Sequence, residues 1–219
     1  MDIVEIGGKL AIFYVPFLFA LCFHEYAHGQ VAKWLGDNTA ERLGRLTLNP
    51  ISHMDLIGTF ILPVGAIVTG IPIFFGWAKP VPVDSRNLKN ARTGMFWIAL
   101  AGPLSNVLLA VLATGFMFFA YRYNLLGNYE RPVRALLEMF VLTNLFLAIF
   151  NLIPMHPLDG GKVLARFLPA SINYKLEQHQ QMTSLVLFVL VMAGMLKFLQ
   201  IPVYFLFNHL MSFANGGLL

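Results

Sequence analysis

Of the chain's 219 residues, 58% are hydrophobic and 12% charged, against about 25% charged in soluble domains, and the mean hydropathy is +0.68. These values exclude a disordered chain, argue against a soluble globular domain and indicate an integral membrane protein with little mass outside the bilayer. The net charge of +4 is a mild basic excess of the kind that sets membrane orientation, and nothing in it points to nucleic acid.

A spanning helix needs about 20 mostly apolar residues, and four stretches qualify. The first runs from about Leu10 to Leu35, the second from about Thr93 to Tyr121 and the third from about Val133 to Ile153. The fourth runs from Thr183 to about Phe213, with Lys197, Gln200 and Pro202 inside it, and reads as one long helix or as a helix plus a short second one. The segment Leu56 to Trp77 is apolar too, but Gly58, Pro63, Gly65, Gly70, Pro72 and Gly76 punctuate it. Such spacing is poor for one straight helix. Broken backbone at membrane depth is tolerated where protein buries it, so 56–77 reads as a re-entrant or kinked segment. Gly44–Leu48 and Pro80–Asp84 are strand-like in composition, the latter confined to an edge by its prolines. The fold class is therefore an all-α polytopic membrane protein with about four to six transmembrane helices and short β elements near 44–48 and 80–84. It forms one domain over 1–219, with a core at about 10–165 and C-terminal membrane helix or helices at about 183–213. Asp2 and Glu5 replace the basic start of a signal peptide, so none is read.

Charge counting discriminates between the topologies. If 56–77 spans, the basic loop residues divide six against eight. If it re-enters, ten (Lys33, Arg42, Arg45, Lys79, Arg86, Lys89, Arg92, Lys162, Arg166 and Lys175) face Lys9, Arg122, Arg131 and Arg134. The second division obeys the positive-inside rule and makes the ten-residue side cytoplasmic.

The first apolar helix contains His24-Glu25-Tyr26-Ala27-His28. Residues four apart share a helix face, so both imidazoles can reach one ion, and Glu25 can reach the metal's water without ligating. Ionisable groups at membrane depth are costly and usually functional. Catalytic zinc takes three protein ligands plus water, and Asp159 is the best third candidate. It follows Pro154 and Pro157, which must end the third helix, and precedes Gly160 and Gly161. An unwound carboxylate there can turn inward; capping the next helix is the other use open to it. The two segments meet only if an odd number of crossings separates them, which again requires that 56–77 does not cross. Cys22 lies on another helix face and reads as a small core residue. Asn144 and Asn151 read as interhelical hydrogen-bonding residues.

Together the motifs resemble the site-2 protease family, the intramembrane zinc metalloproteases, in its compact bacterial type without PDZ or CBS domains. Carrying the resemblance are the His24–His28 motif, Gly44-Arg45-Leu46-Thr47-Leu48-Asn49-Pro50 with His53 and Asp55, Gly76-Trp77-Ala78-Lys79-Pro80-Val81-Pro82-Val83, Ala101-Gly102-Pro103-Leu104-Ser105-Asn106, and Leu158-Asp159-Gly160. They cover most of the chain, in the family's order. The resemblance implies one Zn2+ per chain held by His24, His28 and Asp159, with Glu25 as general base and then acid. It implies that Asn106 faces the active site and helps hold substrate or its oxyanion, and that a β element at 44–48 or 80–84 holds extended substrate by strand addition. His156 stands where the family more often has proline; three residues before Asp159, it could ligate, orient the water or line the pocket. The implied partners are a transmembrane protein or peptide substrate and the lipid bilayer, in a bacterial inner membrane with the active site toward the cytoplasm. Different readings are a non-catalytic membrane scaffold, a metal-binding or transport protein, and a zinc hydrolase of lipids or small amides. A transporter should show internal repeats, which this chain lacks, and a dead scaffold should lack Glu25.

Overall fold

The computed structural model describes residues 2–70 and 76–216. Three helices are long and apolar enough to cross a membrane: α1 (Ile3–Trp34), α4 (Ala91–Arg122) and the segment Gly127–Asn151, which contains α5 (Glu130–Asn151). Between α1 and α4 lie the short α2 (Thr39–Arg42) and α3 (Leu56–Thr69). After α5 come α6 (Asp159–Ala165), α7 (Ala170–Gln178), α8 (Gln180–Met192) and α9 (Gln200–Ala214). The fourth apolar stretch is thus two helices, with Gln180–Met192 bent 81° from Met195–Ala214. Counting that pair as one span gives four at most among the described residues, the lower end of the expected four to six.

Helices α1, α4 and α5 pack together, and α9 closes against α4 and α5 through Ala110, Ala113, Met117, Val141, Leu145, Val203, Met211 and Ala214. The inner face of α4 carries small residues, Gly94, Ala99, Gly102, Ala110 and Ala113, all buried. Small residues let membrane helices approach closely. Its outer face is large and apolar: Leu104, Leu108, Leu112, Phe116 and Phe119 are each more than half exposed. A soluble bundle would bury that stripe; here it is the surface that meets lipid.

The 56–77 segment folds back on itself. Asp55 caps its start by accepting from the Ile57 and Gly58 amides. At its far end the Trp77 N–H donates to the Gly58 carbonyl (3.2 Å) and the Thr59 hydroxyl to the Trp77 carbonyl (2.7 Å). The two ends of the segment are therefore neighbours, which is the geometry of re-entry. Residues 71–75 of this segment, Pro72 among them, lie outside the described residues.

No strand forms at 44–48 or 80–84; among the described residues the chain has no strand at all. Residues 46–48 are a run of bends. Gly76–Asp84 has no regular structure and makes no ladder, because its donors go to scattered acceptors: Lys79 N–H to the His53 carbonyl, Val81 N–H to Glu25, Asp84 N–H to Asp37. Pro80 and Pro82 donate nothing. The two segments are nevertheless neighbours, since the Arg45 guanidinium donates to the Lys79 and Pro80 carbonyls.

Asp37, fully buried at the end of α1, holds this segment in place. Its carboxylate accepts from the Asp84 N–H (2.7 Å), the Asn87 side-chain amide (2.8 Å) and both the hydroxyl and N–H of Thr39. Burial alone would push its carboxyl up; these hydrogen bonds outweigh burial and hold it below the ordinary carboxylate range. Hydrogen bonds to a charged group contribute about 1.5–3 kcal/mol each, so Asp37→Ala should destabilise the detergent-solubilised chain by at least about 2 kcal/mol in thermal unfolding. A lowered folded-state pKa stabilises above the unfolded value of about 3.9. The gap between wild type and variant should be full at neutral pH and shrink as pH falls below about 4. An equal gap at pH 7 and pH 3 would contradict the assignment.

Candidate metal centre

His24 and His28 lie one turn apart in the second half of α1, and their rings meet edge to face at 4.6 Å. The carboxylate that faces them comes from Asp159. Pro154 follows the end of α5 at Asn151, and the chain turns through 152–158 before α6 begins at Asp159. Leu158 is the N-cap of α6 and no side chain caps it, so Asp159 does not spend its carboxylate on the helix. That carboxylate points at the imidazoles instead. Asp159 Oδ2 lies 3.1 Å from His24 Nε2 and 3.2 Å from His28 Nε2.

The other ring nitrogens decide what those contacts are. His28 Nδ1 lies 2.6 Å from the Ile98 carbonyl, which can only accept, so Nδ1 carries the proton. His24 Nδ1 donates to Asn106 Oδ1 at 2.6 Å. Both Nε2 lone pairs and a carboxylate oxygen therefore converge, with all three ligand atoms within 4.8 Å of one another. The edges of a zinc tetrahedron with ligands at 2.0–2.2 Å are about 3.3 Å long, close to the spacings found. The donor set fits a divalent cation.

Gly102 makes room for it. A Cβ at Gly102 would stand 2.5 Å from His28 Nε2 and 2.6 Å from His24 Nε2. Gly102→Ala should weaken zinc binding at least tenfold in a chelator competition, on the order of losing a supporting contact to a ligand. Alanine favours a helix interior by about 1 kcal/mol over glycine, so the loss would trace to the imidazoles and not to α4. Unchanged affinity would show that the rings have space to spare.

Glu25 stands beside the cluster, and its Oε2 accepts from the Val81 N–H at 2.7 Å. His24 and Glu25 form part of the wall of a cavity of about 540 Å3, well inside the size range of ligand pockets. The cavity lies between α1, the 76–78 segment, α5, α8 and α9, and its lining is mainly apolar, with Phe17, Phe146 and Tyr204 prominent.

With this geometry in hand, sequence comparison gives the family. The profile of peptidase family M50 matches residues 12–134 and 127–195. The chain belongs to peptidase family M50, the site-2 protease family. It is 35% identical over 180 residues to the Bacillus subtilis protein named "Putative zinc metalloprotease YwhC", covering 80% of this chain and 78% of that one. Proteins named "Putative zinc metalloprotease Rip2" are 28% identical in Mycolicibacterium smegmatis and 30% in Mycobacterium tuberculosis (strain H37Rv), each covering 87% of this chain and 70% of the relative. No solved structure matches.

The remaining expected residues of this M50 chain fall differently. Asn106, expected to face the active site and to help hold substrate or its oxyanion, meets the site through His24 and is fully buried. Its oxygen takes the His24 proton, and its amide hydrogens go to the Ala20 carbonyl (3.1 Å) and Asn144 Oδ1 (2.8 Å). That leaves no donor for an oxyanion. His156 is buried but does not join the three converging ligands. Burial holds its imidazole below the ordinary histidine range, and its Nε2 has no hydrogen-bond partner among the described residues. Asn144 makes the expected interhelical bond, whereas Asn151 donates to the Leu147 carbonyl of its own helix and lines the cavity. The contributions of Gly102, the Ile98 carbonyl and the Val81 N–H were not anticipated. Gly102 and Val81 had a sequence signal, their places in the Ala101–Asn106 and Gly76–Val83 motifs.

Proposed function

We propose that this M50 chain is an intramembrane zinc metalloprotease that hydrolyses peptide bonds in or near the transmembrane segments of other membrane proteins. The observation that carries the reading is the convergence of His24, His28 and Asp159 beside Glu25, on the wall of an apolar cavity enclosed by membrane helices. The three converging side chains would hold the metal, and the names of the relatives make zinc the natural choice.

Zinc, when bound, acts as a Lewis acid that lowers the pKa of water toward about 7 and polarises a carbonyl. Glu25 takes the proton from the attacking water and returns it to the leaving amine. The Val81 N–H fixes one oxygen of Glu25 and leaves the other for the transfer. A helical peptide bond is shielded by its own hydrogen bonds, so substrate must first unwind. The apolar cavity then takes its side chains, and the Gly76–Asp84 segment, which meets Glu25 at Val81, would offer backbone groups to pair with. Asn151 and Gln200, both on the cavity wall, would offer side-chain amides to the substrate backbone. The division of ten basic loop residues against four supports an active site toward the cytoplasm, in a bacterial inner membrane. Segments with Gly, Pro or Asn near that end should be cut in preference.

The test is cleavage in proteoliposomes of a panel of single-span peptides with and without a central helix breaker. Activity should fall more than tenfold on chelation and return with zinc, the metal supplying most of the rate, and the helix-broken peptides should be cut faster. A zinc-loaded chain that binds the peptides and cuts none would support a non-catalytic scaffold instead.

A further inference from the structure

The hydrogen bond behind His24 continues beyond Asn106, and its direction is set by atoms that allow no choice. Three elements meet there: α1 with Ala20 and His24, α4 with Asn106, and α5 with Phe140 and Asn144. Asn106 and Asn144 are both fully buried. Each amide could in principle sit either way round, since its oxygen and nitrogen differ only in the bonds they make. At Asn144 the choice is fixed by the Phe140 carbonyl, 2.8 Å from Nδ2. A carbonyl accepts only, so nitrogen must face it and Oδ1 must face Asn106. At Asn106, two acceptors, Asn144 Oδ1 and the Ala20 carbonyl, demand the nitrogen. Oδ1 is what remains for His24, so the His24 proton must sit on Nδ1. The donors run one way, from His24 to Asn106 to Asn144 to the Phe140 carbonyl.

His28 needs no such relay, because a backbone carbonyl takes its Nδ1 proton directly. His24 meets a side-chain amide that could turn over. A turned Asn106 would present N–H to Nδ1, move the His24 proton to Nε2 and remove the lone pair that faces Asp159. We infer that Asn144 is a positioning residue for the metal site, fixing the His24 tautomer through Asn106; this rests on the zinc reading above. Among the described residues Asn144 makes no hydrogen bond to a metal ligand and does not line the cavity, so its contribution is made through Asn106.

The test compares the wild-type chain with Asn144→Ala, Asn144→Ser and Asn144→Asp in detergent, by zinc affinity against a chelator. Alanine removes the link. Serine fills part of the space but is one atom too short to bridge, and serves if the alanine variant does not fold. Aspartic acid, protonated in this apolar site, can accept from Asn106 and donate to the Phe140 carbonyl. Zinc should bind about tenfold more weakly to the alanine and serine variants and within about threefold of wild type to the aspartate variant, the range found for supporting contacts to metal ligands. Thr114→Ala, at a buried hydroxyl of α4 whose one hydrogen bond among the described residues goes to the Ala110 carbonyl, should leave affinity unchanged. Nitrogen-15 spectra of the histidine rings in the metal-free chain give a readout independent of zinc. Wild type should show His24 protonated at Nδ1, and the alanine and serine variants a mixture of tautomers. If these variants bind zinc as tightly as wild type with unchanged ring spectra, the inference falls while the zinc reading stands. If wild type itself takes up no zinc, the zinc reading falls first.

Discussion

Glu25→Gln should lower the rate of substrate cleavage by about 10²–10⁴-fold, the contribution of a positioned general base, while zinc content stays at the wild-type level. Glutamine keeps the shape of glutamate and can still accept the Val81 N–H through its amide oxygen, so the 76–84 segment should stay where it is. What it loses is the capacity to take a proton from water and pass it on. The comparison needs initial rates in proteoliposomes and metal analysis of the same preparations. A variant that cuts at the wild-type rate would show that the proton goes elsewhere. A variant that has lost its zinc would show that Glu25 belongs to the metal's ligands.

Asp159→Ala should weaken zinc binding by more than about 100-fold, beyond what loss of a supporting contact costs. The reason is geometric. Both imidazoles come from one helix, and only the Asp159 carboxylate, 3.1 and 3.2 Å from their Nε2 atoms, closes the site from the other side. Two neutral imidazoles would remain, without the negative charge that favours a dication. The carboxylate makes no capping bond to α6, so the helix loses only the favourable charge of an acid in its first turn, about 0.3–1 kcal/mol. Thermal unfolding with and without zinc separates the two effects. Zinc should raise the unfolding temperature of wild type, since a ligand of the folded state stabilises it. It should leave the variant's unfolding temperature, itself close to that of metal-free wild type, unmoved. Equal stabilisation of both chains would remove Asp159 from the site.

The same contrast separates what was legible in the sequence from what was not. Periodicity placed His24 and His28 on one face, because four residues are about one helical turn. Pro154, Pro157, Gly160 and Gly161 marked where the third span must unwind, since proline cannot continue a helix. The glycines and prolines of 56–77 marked a segment unfit to cross, and the charge division turned that into a topology. These are properties of local backbone chemistry and of the bilayer as a solvent, so they can be read one residue at a time.

Other features depend on what stands opposite. Pro80–Asp84 had a strand's composition, but a strand exists only if a second backbone answers it, and here His53, Glu25 and Asp37 take the amides instead. Asn106 had the chemistry of an oxyanion donor. Its orientation was settled by Ala20 and Asn144, which lie 86 and 38 residues away along the chain. The bend that splits the last apolar stretch falls at Gly194, whose left-handed backbone (φ 67°) ends the first helix. By itself the sequence determined the spans, the break points and the residue types able to bind a metal, because those follow from covalent structure and desolvation. Only the tertiary structure decided which acceptor each donor meets, and with it the tautomers that point two imidazoles and a carboxylate at one place.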